Sequence, residues 1–220
     1  MKKLAFLLFA LTTSAALPAQ QQAPFRDEIA AFKKADSLHP APAHPIVFTG
    51  SSSFRKWTGV REAFPGYPII NRGFGGSTFP DVIRYTEDVV FKYNPRQIVL
   101  YCGDNDLASN DSVTAQIVLR RFTQLFHLIR SRLRNADILY VSIKPSPSRE
   151  KLMPRMEEAN RLISEFIHKQ KHAAFVDVYH AMLKPDGHPM DDIFEDDKLH
   201  MNAKGYDIWQ KIILPYLDKP

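Results

Sequence analysis

Short, continuous apolar runs alternate with longer amphipathic stretches along most of the chain. The runs are rich in Val, Ile, Phe and Tyr and mostly lack the apolar–polar alternation of strands with one solvated face. This pattern is typical of parallel strands that helices cover on both faces. It predicts five strands, at Ile46–Thr49, Pro68–Asn71, Gln97–Cys102, Asp137–Ile143 and Ala174–Val178.

Between these runs, apolar residues recur at helical spacing. The longest such segment places one apolar face toward the predicted sheet, formed by Ile117, Phe122, Leu125, Phe126 and Ile129. The spacing predicts helices at Pro24–Ser37, Asp81–Tyr93, Ser112–Leu133, Glu150–Lys171 and Ala203–Leu217. Strand–helix alternation of this kind predicts a three-layer α/β/α domain with right-handed crossovers.

The first residues have a different pattern. A basic start at Lys2 and Lys3 is followed by the apolar run Leu4–Leu11 and then by small residues. This is the pattern of a secretory signal peptide, and its apolar part is too short to span a bilayer. Cleavage fits after Ala16 or Ala19, and we favour Ala19. We therefore expect a signal peptide at residues 1–19, one domain at residues 20–220, and a periplasmic or secreted product.

Charge and cysteine content narrow the classes of partner. The 29 basic residues against 24 acidic ones give a formal net charge of +5, and the basic residues are spread along the chain. We expect no nucleic-acid partner and no stable membrane insertion, since no later segment resembles a transmembrane span. The single Cys102 rules out an internal disulfide, and its apolar surroundings disfavour a reactive thiolate.

Glycine-rich and polar segments follow three of the predicted strands, and a fourth precedes the last helix. In parallel sheets, ligands bind at the carboxyl ends of strands. Acyl transfer needs a serine, a histidine oriented by a carboxylate, and donors for an oxyanion. Alone, each segment has an ordinary explanation as a helix cap or turn, so their joint occurrence carries the argument. The segments are Gly50-Ser51-Ser52-Ser53, Asn71–Thr78, Gly103-Asp104-Asn105-Asp106 and Asp197-Lys198-Leu199-His200.

In this order, the four segments resemble the sequence blocks of the SGNH/GDSL hydrolase superfamily. The resemblance implies that Ser52 is the nucleophile, His200 its base and Asp197 the carboxylate that orients the base. It implies an oxyanion hole formed by the backbone N–H groups of Ser52 and Gly76 and the side-chain amide of Asn105. It also implies a flavodoxin-like parallel sheet of five strands in the order 2-1-3-4-5, with no metal and no cofactor.

One departure from the family pattern affects the nucleophile. The family has Asp after the first glycine, where this chain has Ser51, so Ser51 and Ser53 remain alternatives to Ser52. Ser52 is preferred because it stands two residues after Gly50, as the serine of the family motif does.

Two further groups are assigned by position in the sequence. Arg72 and Phe74, within the second segment, are expected to bind substrate by shaping its pocket. Lys144, Ser146 and Ser148 follow the fourth predicted strand and are candidates for the wall of the cleft. The acidic stretch around Asp197 lacks the regular oxygen-ligand spacing of a hard-cation loop, so no metal site is expected there.

The substrate remains open at this level. Export favours a short acyl group, such as acetyl, on an extracellular or envelope glycan. A lysophospholipase or a thioesterase is an alternative because the family includes both. A non-catalytic, glycan-binding descendant of the fold is an alternative of another class. A phosphoester hydrolase is disfavoured, since no metal-ligand cluster follows the predicted strands.

Overall fold

The computed structural model describes residues 23–219, and the expected signal peptide lies outside them. The described chain contains a parallel five-stranded sheet in the order β2-β1-β3-β4-β5, covered by helices on both faces. This confirms the predicted fold class and strand order. The strands are β1 (Ile46–Gly50), β2 (Ile69–Gly73), β3 (Gln97–Tyr101), β4 (Asp137–Val141) and β5 (Ala173–Val176).

Nine α-helices lie in the described part of the chain, with short 3₁₀ helices at residues 91–93, 147–152, 180–182 and 214–216. Each of these helices is too short or too polar to cross a membrane. The α-helices are α1 (Arg26–Leu38), α2 (Ser52–Arg55), α3 (Val60–Ala63), α4 (Phe79–Arg84), α5 (Thr86–Val89), α6 (Asp104–Ser109), α7 (Ala115–Arg132), α8 (Met153–Ile167) and α9 (Ala203–Ile213).

The sheet register brings three candidate segments to one edge. β1 lies between β2 and β3, and Gly50 pairs with Gly73 on one side and with Tyr101 on the other. The three strands therefore end at the same level. Because the polar segments begin directly after these strands, they emerge side by side at the carboxyl edge of the sheet.

Both faces of the sheet are buried under apolar helix residues, because successive strand residues point to opposite faces. On one face, Tyr140 packs among residues of α7 and α8, such as Phe122 and Ile163. On the other, Tyr101 packs against Phe54 of α2 and Trp209 of α9. Burial of each such side chain contributes about 2 to 3 kcal/mol, which fixes the framework under the site.

The α7 face is close to the one that the spacing predicts. Phe122, Leu125, Phe126 and Ile129 are buried. Ile117 is only half-buried, and Val118 takes the buried position in the first turns instead.

Helix ends differ from the sequence-based bounds where side chains compete with the backbone. The single helix expected at Asp81–Tyr93 is divided into α4, α5 and a 3₁₀ turn. The hydroxyl of Thr86 donates to the carbonyls of Val82 and Ile83, which ends α4. The helix expected from Glu150 starts instead at Met153, after a 3₁₀ turn. α6 was not predicted, because its first residues belong to one of the polar segments that follow the strands.

Candidate active site

The first segment turns sharply at Gly50. This residue has φ of 120°, and a Cβ there would lie 1.9 Å from the carbonyl oxygen of Tyr101, so only glycine fits. The N–H of Ser51 donates to the same carbonyl at 2.9 Å, and α2 begins at the next residue. Ser52 is partly exposed at this turn, whereas Ser51 and Ser53 are buried.

Ser52, His200 and Asp197 lie in one hydrogen-bonded row. Ser52 Oγ is 3.0 Å from His200 Nε2, and His200 Nδ1 is 2.6 Å from Asp197 Oδ2. The other carboxylate oxygen of Asp197 accepts from the backbone N–H groups of Leu199 and His200, at 2.9 and 2.8 Å. Of the three adjacent serines, Ser52 is therefore the one in contact with the histidine.

The electrostatics of Asp197 favour an ionised carboxylate. Partial burial opposes ionisation, but the hydrogen bonds from His200 and Leu199 outweigh it and hold the pKa of Asp197 well below its usual range. Lys56 Nζ lies 3.7 Å from the same carboxylate. An ionised Asp197 accepts a hydrogen bond from Nδ1 of His200, which leaves Nε2 free to accept from Ser52.

The glycine segment is held against the first turn of α1. Gly75 N–H donates to Glu28 Oε2 at 3.0 Å, and a Cβ on Gly75 would lie 2.2 Å from the ring of Phe25. Glu28 is itself paired with Arg55 of α2 at 2.9 Å. Gly76, next along the chain, is exposed. The N-terminal helix thus fixes the backbone that presents Gly76.

The third segment brings Asn105 beside Gly76. Asn105 Nδ2 lies 3.7 Å from the position that a Cβ on Gly76 would take. It donates to Ser51 Oγ at 2.7 Å and to the carbonyl of Ser77 at 3.3 Å. The backbone N–H groups of Ser52 and Gly76 donate to no residue that the structure describes. The structure thus brings the three expected oxyanion donors to one edge of the sheet.

The last residue of the third segment is a structural carboxylate. Asp106 is fully buried, accepts from the N–H of Phe79 at 3.0 Å and forms an ion pair with Arg121 at 2.7 Å. Burial raises the pKa of Asp106 to about 6, against the opposing effect of Arg121. The Asp106 carboxylate thus links the start of α4 to α7. Cys102 is also buried, which raises the pKa of its thiol well above its usual value and disfavours the reactive thiolate.

The loop after β4 supports the segment that carries Asp197 and His200. Lys144 is 1% exposed, and its Nζ donates to the carbonyl of Leu199 at 2.7 Å. The N–H of Ser148 donates to the carbonyl of Lys198 at 3.0 Å. Position in the sequence indicated that this loop lies near the cleft. No sequence signal identified these contacts, because each ends on a backbone carbonyl about 50 residues further along the chain, and a carbonyl is present at every position.

Arg72 and Phe74 do not line the cleft that we expected them to shape. Arg72 donates to the hydroxyl of Tyr93 at 2.6 Å and forms an ion pair with Asp36 of α1. Phe74 is fully buried, with its ring 5.3 Å from that of Phe25. Arg72 thus fastens α1 and the 3₁₀ helix at residues 91–93 to the sheet, and Phe74 packs against the start of α1, which leaves neither a surface to offer a substrate.

The buried ammonium of Lys144 makes stability dependent on pH. Burial, partly offset by the carboxylate of Asp104, lowers the pKa of Lys144 to about 8 from 10.5. The unfolded chain therefore binds more protons above pH 8, and stability rises with pH in that range. Between pH 7 and 10, we expect the free energy of unfolding of the wild type to gain roughly 2 to 3 kcal/mol relative to Lys144→Met.

Urea unfolding of both proteins across this pH range measures the difference. Lys211→Met, which removes an exposed lysine of α9, is the matched control and should run parallel to the wild type. Parallel curves for Lys144→Met as well would show that Lys144 titrates as in the unfolded chain, contrary to the expectation.

Two cavities border segments of the candidate site. One of about 770 Å³ lies beyond Asp197, between α9 and the α2–α3 connection, with Trp57 and Tyr206 in its wall. Another, of about 530 Å³, lies between α6 and the loop after β4, with Arg149 in its wall. Neither wall includes Ser52 or His200.

Comparisons with known proteins give a consistent picture. The model of the GDSL-like Lipase/Acylhydrolase family matches residues 36–208. A comparison with curated proteins finds no match. Among solved structures, the chain is similar to a GDSL-like lipase from Bacteroides thetaiotaomicron. The two are 19% identical with a TM-score of 0.71, over 86% of this chain and 96% of that one.

Two further solved structures have the same fold. A lipase/acylhydrolase from Enterococcus faecalis is 20% identical, with a TM-score of 0.61 over 79% of this chain and 94% of that one. An acetylxylan esterase from Geobacillus stearothermophilus is 14% identical, with a TM-score of 0.63 over 81% and 96%. Catalytic mutants of that esterase replace a serine or a histidine with alanine. At these identities, the likeness establishes a shared fold.

Proposed function

Because the chain belongs to the GDSL-like lipase/acylhydrolase family, we propose that it hydrolyses a carboxylic ester through an acyl-serine intermediate on Ser52. The contact of 3.0 Å between Ser52 Oγ and His200 Nε2 carries the proposal. Together with the hydrogen bond from His200 to Asp197, it forms the arrangement that activates a serine hydroxyl. The serine and histidine replaced in the catalytic mutants of the Geobacillus esterase are residues of the same types.

In the acylation step, Ser52 Oγ attacks the ester carbonyl carbon while its proton passes to His200 Nε2. Asp197 stabilises the imidazolium that results and keeps the ring in one orientation. The tetrahedral intermediate then collapses, the bond to the alcohol oxygen breaks, and the alcohol leaves with the proton from Nε2. The acyl group remains on Ser52.

In the deacylation step, His200 takes a proton from water, which attacks the acyl-serine carbonyl. Collapse of the second tetrahedral intermediate returns the proton to Ser52 Oγ and releases the carboxylic acid. Both steps need a neutral His200, because Nε2 must accept a proton in each.

The oxyanion of each intermediate meets the N–H groups of Ser52 and Gly76 and the amide of Asn105. The two backbone donors have no acceptor within the described residues. The Asn105 amide currently donates to Ser51 Oγ, and an oxyanion of full charge is a stronger acceptor than that hydroxyl. One such donor is worth about 3 kcal/mol in the transition state.

The substrate that we propose is a short acyl ester, most simply an acetyl group, on a glycan outside the cytoplasm. Neither of the two cavities beside the site has Ser52 in its wall, which supports a small acyl group over a long chain held in a deep pocket. The apolar start of the chain supports export. The fold shared with an acetylxylan esterase is in keeping with this substrate class.

Chain-length dependence tests the acyl group. We expect kcat/KM of the mature protein to fall at least about tenfold from p-nitrophenyl acetate to p-nitrophenyl octanoate, because a shallow acyl site gives longer chains no contact to compensate for ordering them. Release of acetate from acetylated xylan or another acetylated glycan, measured with unmodified glycan as control, then tests whether the alcohol part of the ester is a glycan. Rates that rise with chain length, or release of fatty acid from a lysophospholipid, would point to a lipid substrate and contradict the proposal.

A further inference from the structure

Arg149, within the 3₁₀ helix at residues 147–152 that ends the connection after β4, has no role in the chemistry proposed so far. Its guanidinium is 17% exposed and lies against the third segment. One arm, Nη2, donates to Asn105 Oδ1 at 2.9 Å. The other, Nη1, lies 2.9 Å from Asp104 Oδ2, and the Asp104 side chain is 6% exposed. The forked side chain therefore spans two neighbouring residues of one segment.

The two contacts of Arg149 differ in kind. The contact with Asp104 is an ion pair that lacks hydrogen-bond alignment, since Nη1 is buried with no aligned acceptor among the described residues. The contact with Asn105 is an aligned hydrogen bond. Within the described part of the chain, the aligned side-chain hydrogen bond of Arg149 is thus the one to Asn105.

This hydrogen bond fixes which way the Asn105 amide points, together with the weaker bond that Asn105 Nδ2 donates to the carbonyl of Ser77 at 3.3 Å. Arginine only donates, so only the carbonyl oxygen of the amide can face it. The NH₂ group must then point the other way, where it meets Ser51 Oγ at 2.7 Å beside Gly76. A rotated amide would set its NH₂ against a guanidinium and lose this acceptor. Arg149, with the longer contact to the Ser77 carbonyl, therefore disfavours the orientation in which Asn105 presents its oxygen to the reacting carbonyl.

We propose that Arg149 is a positioning residue of the reaction: it holds the Asn105 amide with its NH₂ group aimed at the oxyanion. The guanidinium also polarises the amide, which makes its N–H groups better donors. The inference rests on the proposed function of Ser52. It gives the loop after β4 two tasks, since Lys144 and Ser148 fasten the histidine segment and Arg149 fastens the oxyanion donor.

A purely structural role would act through the ion pair with Asp104, and two substitutions separate the possibilities. Arg149→Met removes both contacts, whereas Arg149→Lys keeps a cation near Asp104 but lacks the second arm of the fork. We expect both variants to lose about 10- to 100-fold in kcat on p-nitrophenyl acetate, with KM within about twofold, as a misplaced catalytic donor predicts. Arg161→Met removes an exposed arginine that pairs with Glu158 and Glu165, and should keep the wild-type rate.

A double-mutant cycle tests the coupling to Asn105. If Arg149 acts through Asn105, the combined Arg149→Met/Asn105→Ala variant will be no slower than Asn105→Ala alone. Independent, additive losses would overturn the inference, as would an Arg149→Lys variant with full kcat. Labelling by a fluorophosphonate gives a second readout, because its phosphoryl oxygen enters the same site, and its rate should fall in parallel with kcat.

The outcomes also separate this inference from the function on which it rests. A wild type without Ser52-dependent turnover overturns both. A wild type with Ser52-dependent turnover, together with an Arg149→Met variant that keeps its kcat, overturns the role of Arg149 alone. Thermal unfolding of each variant shows whether a lost rate comes from a lost fold.

Discussion

Ser52→Ala will lose about 10⁴-fold or more in kcat on p-nitrophenyl acetate, while its free energy of unfolding stays within about 1 kcal/mol of the wild type. The loss follows from removal of the atom that forms the acyl bond. The small stability effect follows from the site, because Ser52 Oγ is partly exposed and its contact is with His200. Turnover by steady-state kinetics and unfolding in urea measure the two quantities.

The neighbouring serines provide the matched controls. Ser53→Ala changes a buried hydroxyl that lies away from His200, and most of the turnover should remain. Ser51→Ala removes the acceptor that Asn105 now uses, so an intermediate loss is expected. An equally large loss in Ser53→Ala, or wild-type turnover in Ser52→Ala, would show that the nucleophile has been assigned to the wrong residue.

Asp197→Asn will lower kcat by about 10³- to 10⁴-fold with little change in the fold. An asparagine oxygen can still accept from the backbone N–H groups of Leu199 and His200, so the local turn should persist. Its NH₂ group, however, would face Nδ1 of His200 and require this nitrogen to accept. Nε2 would then carry the hydrogen and could not take the proton of Ser52.

The adjacent Asp196→Asn tests whether charge or position matters. Asp196 is exposed, and its replacement by Asn removes the same formal charge from the same loop. The kcat of Asp196→Asn should therefore stay within about twofold of the wild type. Equal losses in both variants would mean that the field of the acidic loop, rather than the histidine tautomer, supports the reaction. NMR of the imidazole nitrogens in Asp197→Asn would report the tautomer directly.

The layout of the fold was predictable because each strand is a continuous apolar run. The runs beginning at Ile46, Gln97 and Asp137 match β1, β3 and β4 at their first residues. Parallel strands placed the polar segments at one edge, so the family blocks could be located before any distance was known. The strand order itself came from the resemblance to SGNH/GDSL hydrolases, which the family match confirms.

Side-chain partners far apart in the sequence were not predictable. Nothing local shows that Arg72 will turn inward to Asp36 rather than toward a substrate, because the choice depends on where α1 packs. Lys144 was assigned to the cleft by position, and only the fold shows that a backbone carbonyl 55 residues later stabilises it. The link from Arg149 to Asn105 likewise spans 44 residues. Such contacts depend on the packing of whole elements, which periodicity does not encode.

The burial of Cys102 provides a means to follow opening of the domain without any label or substitution. Cys102 is the one cysteine of the chain, is fully shielded from solvent and follows β3 directly, before the segment that carries Asn105. An alkylating reagent can reach this thiol only when the elements packed over it, which include α4 and α6, move away from the sheet. The rate of alkylation under native conditions therefore reports the free energy of that opening. For each variant discussed above, the rate of Cys102 alkylation thus shows whether a lower kcat comes from the reaction itself or from a domain that opens more readily.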